Sequence, residues 1–366
     1  MMYNWQFDNW TQFEYDIRLF DEVDKQFHSL AGQNGGVVQL LAQDEKEASI
    51  LTLLVKEAIK TSAIEGELIS REDVMSSIKI NLGYNTNIQS VKDKRSVGIA
   101  RAIVTSREHF EQPLDEIMLF EWHQAIMLGN TSVNAGVWRS HEEPMQIVSG
   151  AIGKEIVHFE APPSKDVPSE MKCFIQWFNA SHPKGETPIN NAIVRAGLAH
   201  LYFESIHPFE DGNGRVGRII AEKALSQHLQ SPVLLSLSTT IAADKGIYYE
   251  QLKNAQRGKE LNNWIAYFGK VVLDAQKDFF NTVHFTIKKT RFLDKIKPLV
   301  DAKQQKVIYK MLQDETFEGG MNARKYQSIT KTSKATATRD LADLVQKNIL
   351  IQTGGGRSTS YYISLE

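Results

Sequence analysis

The chain has 366 residues, 42% hydrophobic and 23% charged, with a formal net charge of −2. That length suits two or three domains, and the near balance of charge provides no global field toward nucleic acid or a membrane surface. A single cysteine, Cys173, excludes an internal disulfide, and no apolar run reaches the roughly 20 residues that span a bilayer. The opening MMYNWQFDNWTQFEYD has neither a basic nor an apolar leader region. The expectation is a cytoplasmic protein with no membrane association.

Aromatic residues crowd the start: Trp5, Phe7, Trp10, Phe13 and Tyr15. Their near-alternation fits a short strand or an extended arm clasped onto the next domain. The glycines of QNGGVV at 33–38 predict a turn. Next, Leu51, Leu54, Val55, Ala58, Ile59 and Ser62 recur at helical spacing and predict an amphipathic helix that Gly66 terminates. Ser70 followed by Asp73 reads as the capped start of another. Residues 92–127 read as mostly helical, with Pro113 opening a new segment.

QIVSG and EIVHFEAPP are β-prone runs bounded by Pro144 and by Pro162 with Pro163, and they predict a hairpin around AIGK. Residues 190–206, NNAIVRAGLAHLYFESI, are apolar almost all round, as in a helix buried at the centre of a bundle. His200 on that helix reads as a packed histidine. Toward the C-terminus QQKVIYKML, NARKYQSI and SKATATRDLADLVQKN read as three short helices, and ILIQTGGGRSTSYYISL as a hairpin. No internal repeat, low-complexity linker or Cys/His zinc pattern is present.

The stretch HPFEDGNGRVGR, residues 207–218, joins the buried helix to a second one. A helix beginning near Gly214 turns its free N–H groups and positive dipole end toward the loop. Gly212, Gly214 and Gly217 let a ligand approach the main chain. Such a site suits an anion, most often phosphate. Arg215 and Arg218, three residues apart, reach the same side and can neutralise further phosphates. Asp211 supplies a carboxylate suited to Mg²⁺, and His207 can take a proton near neutral pH. Neither a Walker A nor a Rossmann glycine pattern is present. From composition alone, a phosphate cradle competes with a tight helix–loop–helix turn carrying surface charge.

Residues 207–218 match the signature of Fic proteins, His-x-Phe-x-Asp/Glu-Gly-Asn-Gly-Arg-x-x-Arg, and roughly 92–275 resembles a Fic domain, the hairpin resembling the family's substrate flap. The resemblance implies a mainly α fold: a Fic-type helical bundle with a β-hairpin flap (92–275), an N-terminal helical inhibitory region (1–91) and a C-terminal winged helix-turn-helix (290–366). It implies transfer of AMP from ATP to a Ser, Thr or Tyr hydroxyl of a target protein. His207 would be the base, Phe209 the buried anchor of the loop, and Asp211 the Mg²⁺ ligand. Asn213 and its neighbouring N–H groups would hold the α-phosphate, Arg215 the β-phosphate and Arg218 the γ-phosphate. Tyr248, Tyr249 and Gln256 in IYYEQLKNAQRG resemble the adenine end of such pockets, with core packing an equal use for the tyrosines.

TSAIEG at 61–66 matches the family's inhibitory motif, Ser/Thr-x-x-x-Glu-Gly/Asn. By that resemblance Glu65 pairs with Arg218 and denies it to the γ-phosphate. Two further readings stay open: a DNA-binding regulator using the Fic domain as a nucleotide sensor, and an enzyme that removes AMP. Residues 321–360 hold seven Lys and Arg against Asp340 and Asp343. By the winged-helix resemblance Lys334, Arg339 and Arg357 would be the residues to meet DNA phosphates, and a docking or homodimer surface is the favoured alternative use of this tail.

Overall fold

The computed structural model of the chain describes residues 2–84, 91–149, 156–312 and 320–364. The turn of the predicted hairpin, AIGK with Gly150 and Glu155, and the Arg357 side chain lie outside the described residues. The chain divides into two units, 1–282 and 283–366.

The first unit begins with an arm. Trp10 sits edge-on to Tyr202, ring centroids 4.9 Å apart, and Glu14 forms a β-bridge with Glu260. The arm also reaches the flap: Trp5 Nε1 donates to the Glu160 carbonyl at 2.6 Å, and Tyr3 stacks edge-on against Phe159. Helix α1 (Asp21–Gln39) follows. It runs straight through QNGGVV, where the glycines predict a turn. Tertiary contacts override them: Asn34 Nδ2 donates to the Gln276 carbonyl, and Gln276 Nε2 donates to the Phe27 carbonyl.

Helix α2 (Gln43–Ile64) is anchored at mid-length. The buried Glu57 carboxylate accepts from Ser236 Oγ at 2.7 Å, from Ser238 N at 3.1 Å and from Ser238 Oγ. The helix ends in a Schellman turn: Gly66 N donates to Ala63 O and Glu67 N to Ser62 O, with Gly66 at φ +82°. Only glycine adopts that backbone cheaply. The turn leaves Glu65 and Glu67 at the helix tip.

Helix α3 (Arg71–Asn81) starts where the sequence predicts, Ser70 Oγ accepting from Asp73 N at 3.2 Å. Helices α4 (Lys94–Glu108) and α5 (Glu116–Ile126) flank Pro113 and cross closely at Gly98. A Cβ added there would collide with the Ala125 carbonyl. Gly98→Ala is therefore expected to destabilise the fold by about 1–3 kcal/mol through overpacking, read as a lower urea midpoint at unchanged m-value.

Strands β1 (Gln146–Ser149) and β2 (Ile156–Glu160) pair antiparallel, with Gln146 opposite Glu160 and a register shift between Ile147 and Val148. Helix α6 (Val167–Ala180) leads to α7 (Ala192–Ile206). Asn191 caps α7 by accepting from Val194 N at 2.9 Å, and every residue of the helix is buried. The central helix of the bundle is thus enclosed, as its continuous apolarity requires. Helix α8 (Asn213–Leu229) packs against it along the motif. Helices α9 (Leu237–Ala243) and α10 (Lys245–Ala255) and the long α11 (Asn262–Ile296) complete the order.

The second unit comprises α12 (Ala302–Leu312), α13 (Ala323–Thr330), α14 (Lys334–Gln346) and the antiparallel pair β3 (Leu350–Thr353) and β4 (Ser360–Ile363). Met321 adds a bridge to Tyr361. Its own core holds Val307, Ile308, Tyr326, Leu341 and Leu344. Lys334 and Arg339 lie exposed on α14.

Candidate functional site

The site is built where α7 ends and α8 begins. His207 caps α7 in the left-handed region, φ +50° and ψ +59°, and its N–H reaches back to Phe203 O at 2.9 Å. A side chain there carries local backbone strain, and the surroundings must fix it. They do so through Arg139, which is buried. Its guanidinium donates to the carbonyls of His207 (2.8 Å), Ile206 (3.2 Å) and Pro162 (2.5 Å) and to Ser164 Oγ (2.8 Å). The open carbonyls at the end of α7 are thereby satisfied, and the same cation ties them to the chain leaving the flap.

The loop between the helices is braced from inside. Phe209 is fully buried and stacks on His123 at 3.9 Å between ring centroids, with the planes 10° apart. His123 Nδ1 accepts from Gly136 N at 2.9 Å, so Nε2 carries the hydrogen and donates to the Asp211 carbonyl at 3.0 Å. Burial pushes the His123 pKa down to about 4, which keeps the ring neutral. Asn213 Oδ1 accepts from Phe209 N and its Nδ2 donates to Phe209 O, at 2.9 and 2.8 Å. The Asn213 side chain thus holds the loop to itself and is not turned to the cavity. Gly212 lies at φ +83° at the start of α8, against Met127.

Gly214 is the point of closest approach. A Cβ there would run into Glu65 Oε1 and come within 3.1 Å of Arg218 Nη1. The Glu65 carboxylate therefore rests at the N-terminal end of α8, where backbone N–H groups and the dipole favour an anion. Arg218 Nη2 donates to Glu65 Oε1 at 2.8 Å and to Thr61 O at 3.1 Å, and Nε donates to Thr61 Oγ1 at 2.9 Å. Thr61 and Glu65, one helical turn apart, grip one guanidinium. Arg218 is 1% exposed and the Glu65 side chain 25%. Burial alone would lower the Arg218 pKa, but the Glu65 carboxylate beside it raises it above its ordinary value. Arg218 Nη1 is buried without a hydrogen-bond partner among the described residues.

Arg215 is held likewise. Its Nη1 donates to Glu67 Oε2 at 2.9 Å and its Nη2 to Asp211 Oδ1 at 3.3 Å. Glu67, two residues past Glu65, belongs to the same helix tip, and the inhibitory motif gives no hint of it. Gly217 faces α7, not the loop: a Cβ there would lie 2.5 Å from Glu204 Oε1 and 3.1 Å from His200 Nδ1. Its room serves the contact between the two helices.

A cavity of about 720 Å³ opens beside His207 and Gly214, lined also by Glu65, Ile147, Tyr249 and Gln256. Tyr248 lines it too but is buried, its hydroxyl 2.9 Å from His200 Nε2. Tyr249 is half-open to the cavity, its hydroxyl 3.5 Å from Ile64 O. Gln256 Nε2 donates to Glu204 O at 3.2 Å. Of the two tyrosines, Tyr249 offers the free face and Tyr248 is the packed one.

Among the described residues no three His, Cys, Asp or Glu side chains cluster as a protein-built metal site. Asp211 offers a single carboxylate, 46% exposed. Mg²⁺ is commonly held by one or two carboxylates with substrate phosphates completing its shell. This donor set fits a magnesium ion arriving with a nucleotide.

The profile of the Fic/DOC family matches residues 113–225, which include the whole loop and the start of α8. The chain carries a Fic/DOC family domain. A domain of unknown function, DUF4172, matches residues 3–84, the arm and helices α1 to α3. The Fic domain resembles curated relatives. Protein adenylyltransferase fic-1 of Caenorhabditis elegans is 28% identical over 217 residues, which cover 57% of this chain and 38% of that relative. Protein adenylyltransferase Fic of Drosophila sechellia is 33% identical over 97 residues, 26% of this chain and 18% of the relative. The match thus spans well under half of the length of these relatives. Among solved structures, a Fic family protein from Desulfovibrio desulfuricans superposes with a TM-score of 0.52 at 19% identity, covering 93% of this chain and 96% of that one. A fragment of Caenorhabditis elegans Fic-1 superposes with a TM-score of 0.52 at 20% identity, covering 73% and 75%. These likenesses establish the mainly helical Fic fold. No helix among the described residues is long and apolar enough to cross a membrane.

Proposed function

We propose that this chain is a protein adenylyltransferase held in check by its own second helix. The observation that carries the reading is the Glu65 carboxylate bound to Arg218 at 2.8 Å, against Gly214 at the head of α8. An acid resting on a buried guanidinium and a helix N-terminus occupies a site built for an anion. Arg218 Nη1, beside Gly214, has no hydrogen-bond partner among the described residues and is a further donor at this site. The curated relatives named protein adenylyltransferase support ATP as the source of that anion.

In this reading ATP enters the cavity with its triphosphate along the head of α8 and its base toward Tyr249 and Gln256. The oxygen of a target Ser, Thr or Tyr hydroxyl attacks the α-phosphorus. A new O–P bond forms, the bond from the α-phosphorus to the bridging oxygen breaks, and pyrophosphate leaves with its electron pair. His207 takes the hydroxyl proton. Main-chain N–H groups of the first turn of α8 stabilise charge growing on the α-phosphate. Arg215 and Arg218 neutralise the departing phosphates once the two glutamates withdraw. Asp211 would hold Mg²⁺, which when bound offsets phosphate charge. The exposed Val148 and Val157 on the two-stranded flap suit an added strand from the target.

The position of the radiolabel tests the chemistry. A Glu65→Gly preparation given Mg²⁺ and ATP is expected to retain label from the α-phosphate on protein and none from the γ-phosphate. Label arriving from the γ-position, or from neither, sinks the proposal.

A further inference from the structure

One side of α7 and its C-cap carry three polar residues in register, His200, Glu204 and His207, apart from the buried Arg195 nearer the start of the helix. The motif accounts for the last alone. Glu204 is 4% exposed, and its Oε1 has no hydrogen-bond partner among the described residues. A carboxylate so placed costs several kcal/mol of desolvation unless a charge or donor answers it. His207 Nδ1 is also buried and, among the described residues, has no partner within hydrogen-bond distance. The two face each other: His207 Nδ1 lies 3.7 Å from Glu204 Oε2.

We infer that Glu204 is a positioning residue for His207, its carboxylate accepting the Nδ1 hydrogen so that Nε2 is left bare toward the cavity. This inference rests on the adenylyl-transfer reading for its kinetic consequence. Geometry carries it in three ways. Nδ1 is buried, while the side chain as a whole is 12% exposed and lines the cavity, so the cavity meets the ring away from Nδ1. The packing leaves room for the acid: only a glycine at 217 clears Glu204 Oε1. And Gln256 Nε2 holds the Glu204 carbonyl at 3.2 Å, fixing the last turn of α7 from the cavity side. A gap of 3.7 Å closes by a small rotation of either side chain, and catalytic hydrogen bonds are commonly loose before substrate binds. The carboxylate itself stays ionised: burial opposes this, but the facing imidazoles of His207 and His200 and the Arg218 guanidinium hold its pKa below the ordinary value.

The arrangement does two things for the proton transfer. It selects the tautomer that can accept the hydroxyl proton at Nε2, and it places a negative charge beside the imidazolium that results. The same division of labour among nucleophile, imidazole and carboxylate is the general logic of triads.

The test uses the whole chain with ¹⁵N-labelled histidine. Long-range proton–nitrogen correlation, with His207→Ala identifying the signal by subtraction, is expected to show the wild-type His207 protonated at Nδ1 and bare at Nε2. A hydrogen on Nε2 with a bare Nδ1 overturns the inference, and this arm needs no change at Glu204. In the second arm, Glu204→Gln in a Glu65→Gly background is expected to lower kcat for AMP transfer roughly a hundredfold with KM for ATP unchanged. A kcat that does not move, or a loss confined to KM, also overturns it. If Glu65→Gly alone transfers no AMP, the transferase reading falls, and the tautomer still decides for or against Glu204.

Discussion

Replacing His207 by alanine in a Glu65→Gly background is expected to cut AMP transfer by about 10²–10⁴-fold, the usual share of a positioned general base. Binding of ATP should survive, because the groups assigned to the triphosphate are the head of α8 and the two motif arginines. The backbone at 207 is left-handed, and alanine meets there the same Cβ strain that histidine already carries, so the substitution adds little strain of its own. Arg139 grips the carbonyls of His207 and Ile206, not the imidazole, and so keeps the turn in place without the side chain. Single-turnover transfer and calorimetric ATP titration together separate the two quantities. Full-rate transfer by the alanine variant would mean that the hydroxyl proton leaves by another route.

Glu65→Gly should move activity the other way. It removes the acid that Arg218 Nη2 holds at 2.8 Å and clears the approach to Gly214. Two changes follow. A γ-phosphate finds the guanidinium free, and the triphosphate can settle with its α-phosphorus in line with the target hydroxyl. A misplacement of about 1 Å costs about a hundredfold, so a gain of that order in self-modification with α-labelled ATP is expected. Arg218 keeps its bonds to Thr61, so the cation remains in position. Equal labelling of variant and wild type would remove Glu65 from any restraining role and would leave the pair as a structural bond.

The chemistry of this site was legible where it is local. Residues 207–218 place imidazole, carboxylate, glycines and arginines in one continuous stretch, and Thr61 to Gly66 occupy one helix end. Physical constraints of short range write such patterns directly into sequence. The supports come from afar and follow no spacing. His123 and Arg139 brace the loop across 88 and 68 residues, and nothing about a lone histidine or arginine announces it. Glu67 follows the inhibitory motif by two residues and engages Arg215 only because Gly66 turns the chain left-handed. Glu204 had a readable sign: an acid one turn ahead of a histidine, on a helix whose other buried charge, Arg195, is answered elsewhere by Ser181, Phe178 and Gln227. The glycines at 33–38 misled for the opposite reason, since local propensity pointed to a turn while the partners of Asn34 and Phe27 lie some 240 residues later. Gly217 belongs to the contact between α7 and α8, a role that its neighbourhood in the motif disguises.

The attachment of α2 sets the scale of any release. Glu57, eight residues before the tip, is fastened to Ser236 and Ser238 inside the bundle, whereas Glu65 meets its partner in a half-open spot after the last hydrogen-bonded turn. The shaft is pinned at a fulcrum and the working end overhangs it. Lifting the acid thus calls for fraying one terminal coil, the least costly motion a helix has, and leaves the hydrophobic face of α2 docked. A trigger acting on this protein needs to grasp only that overhang.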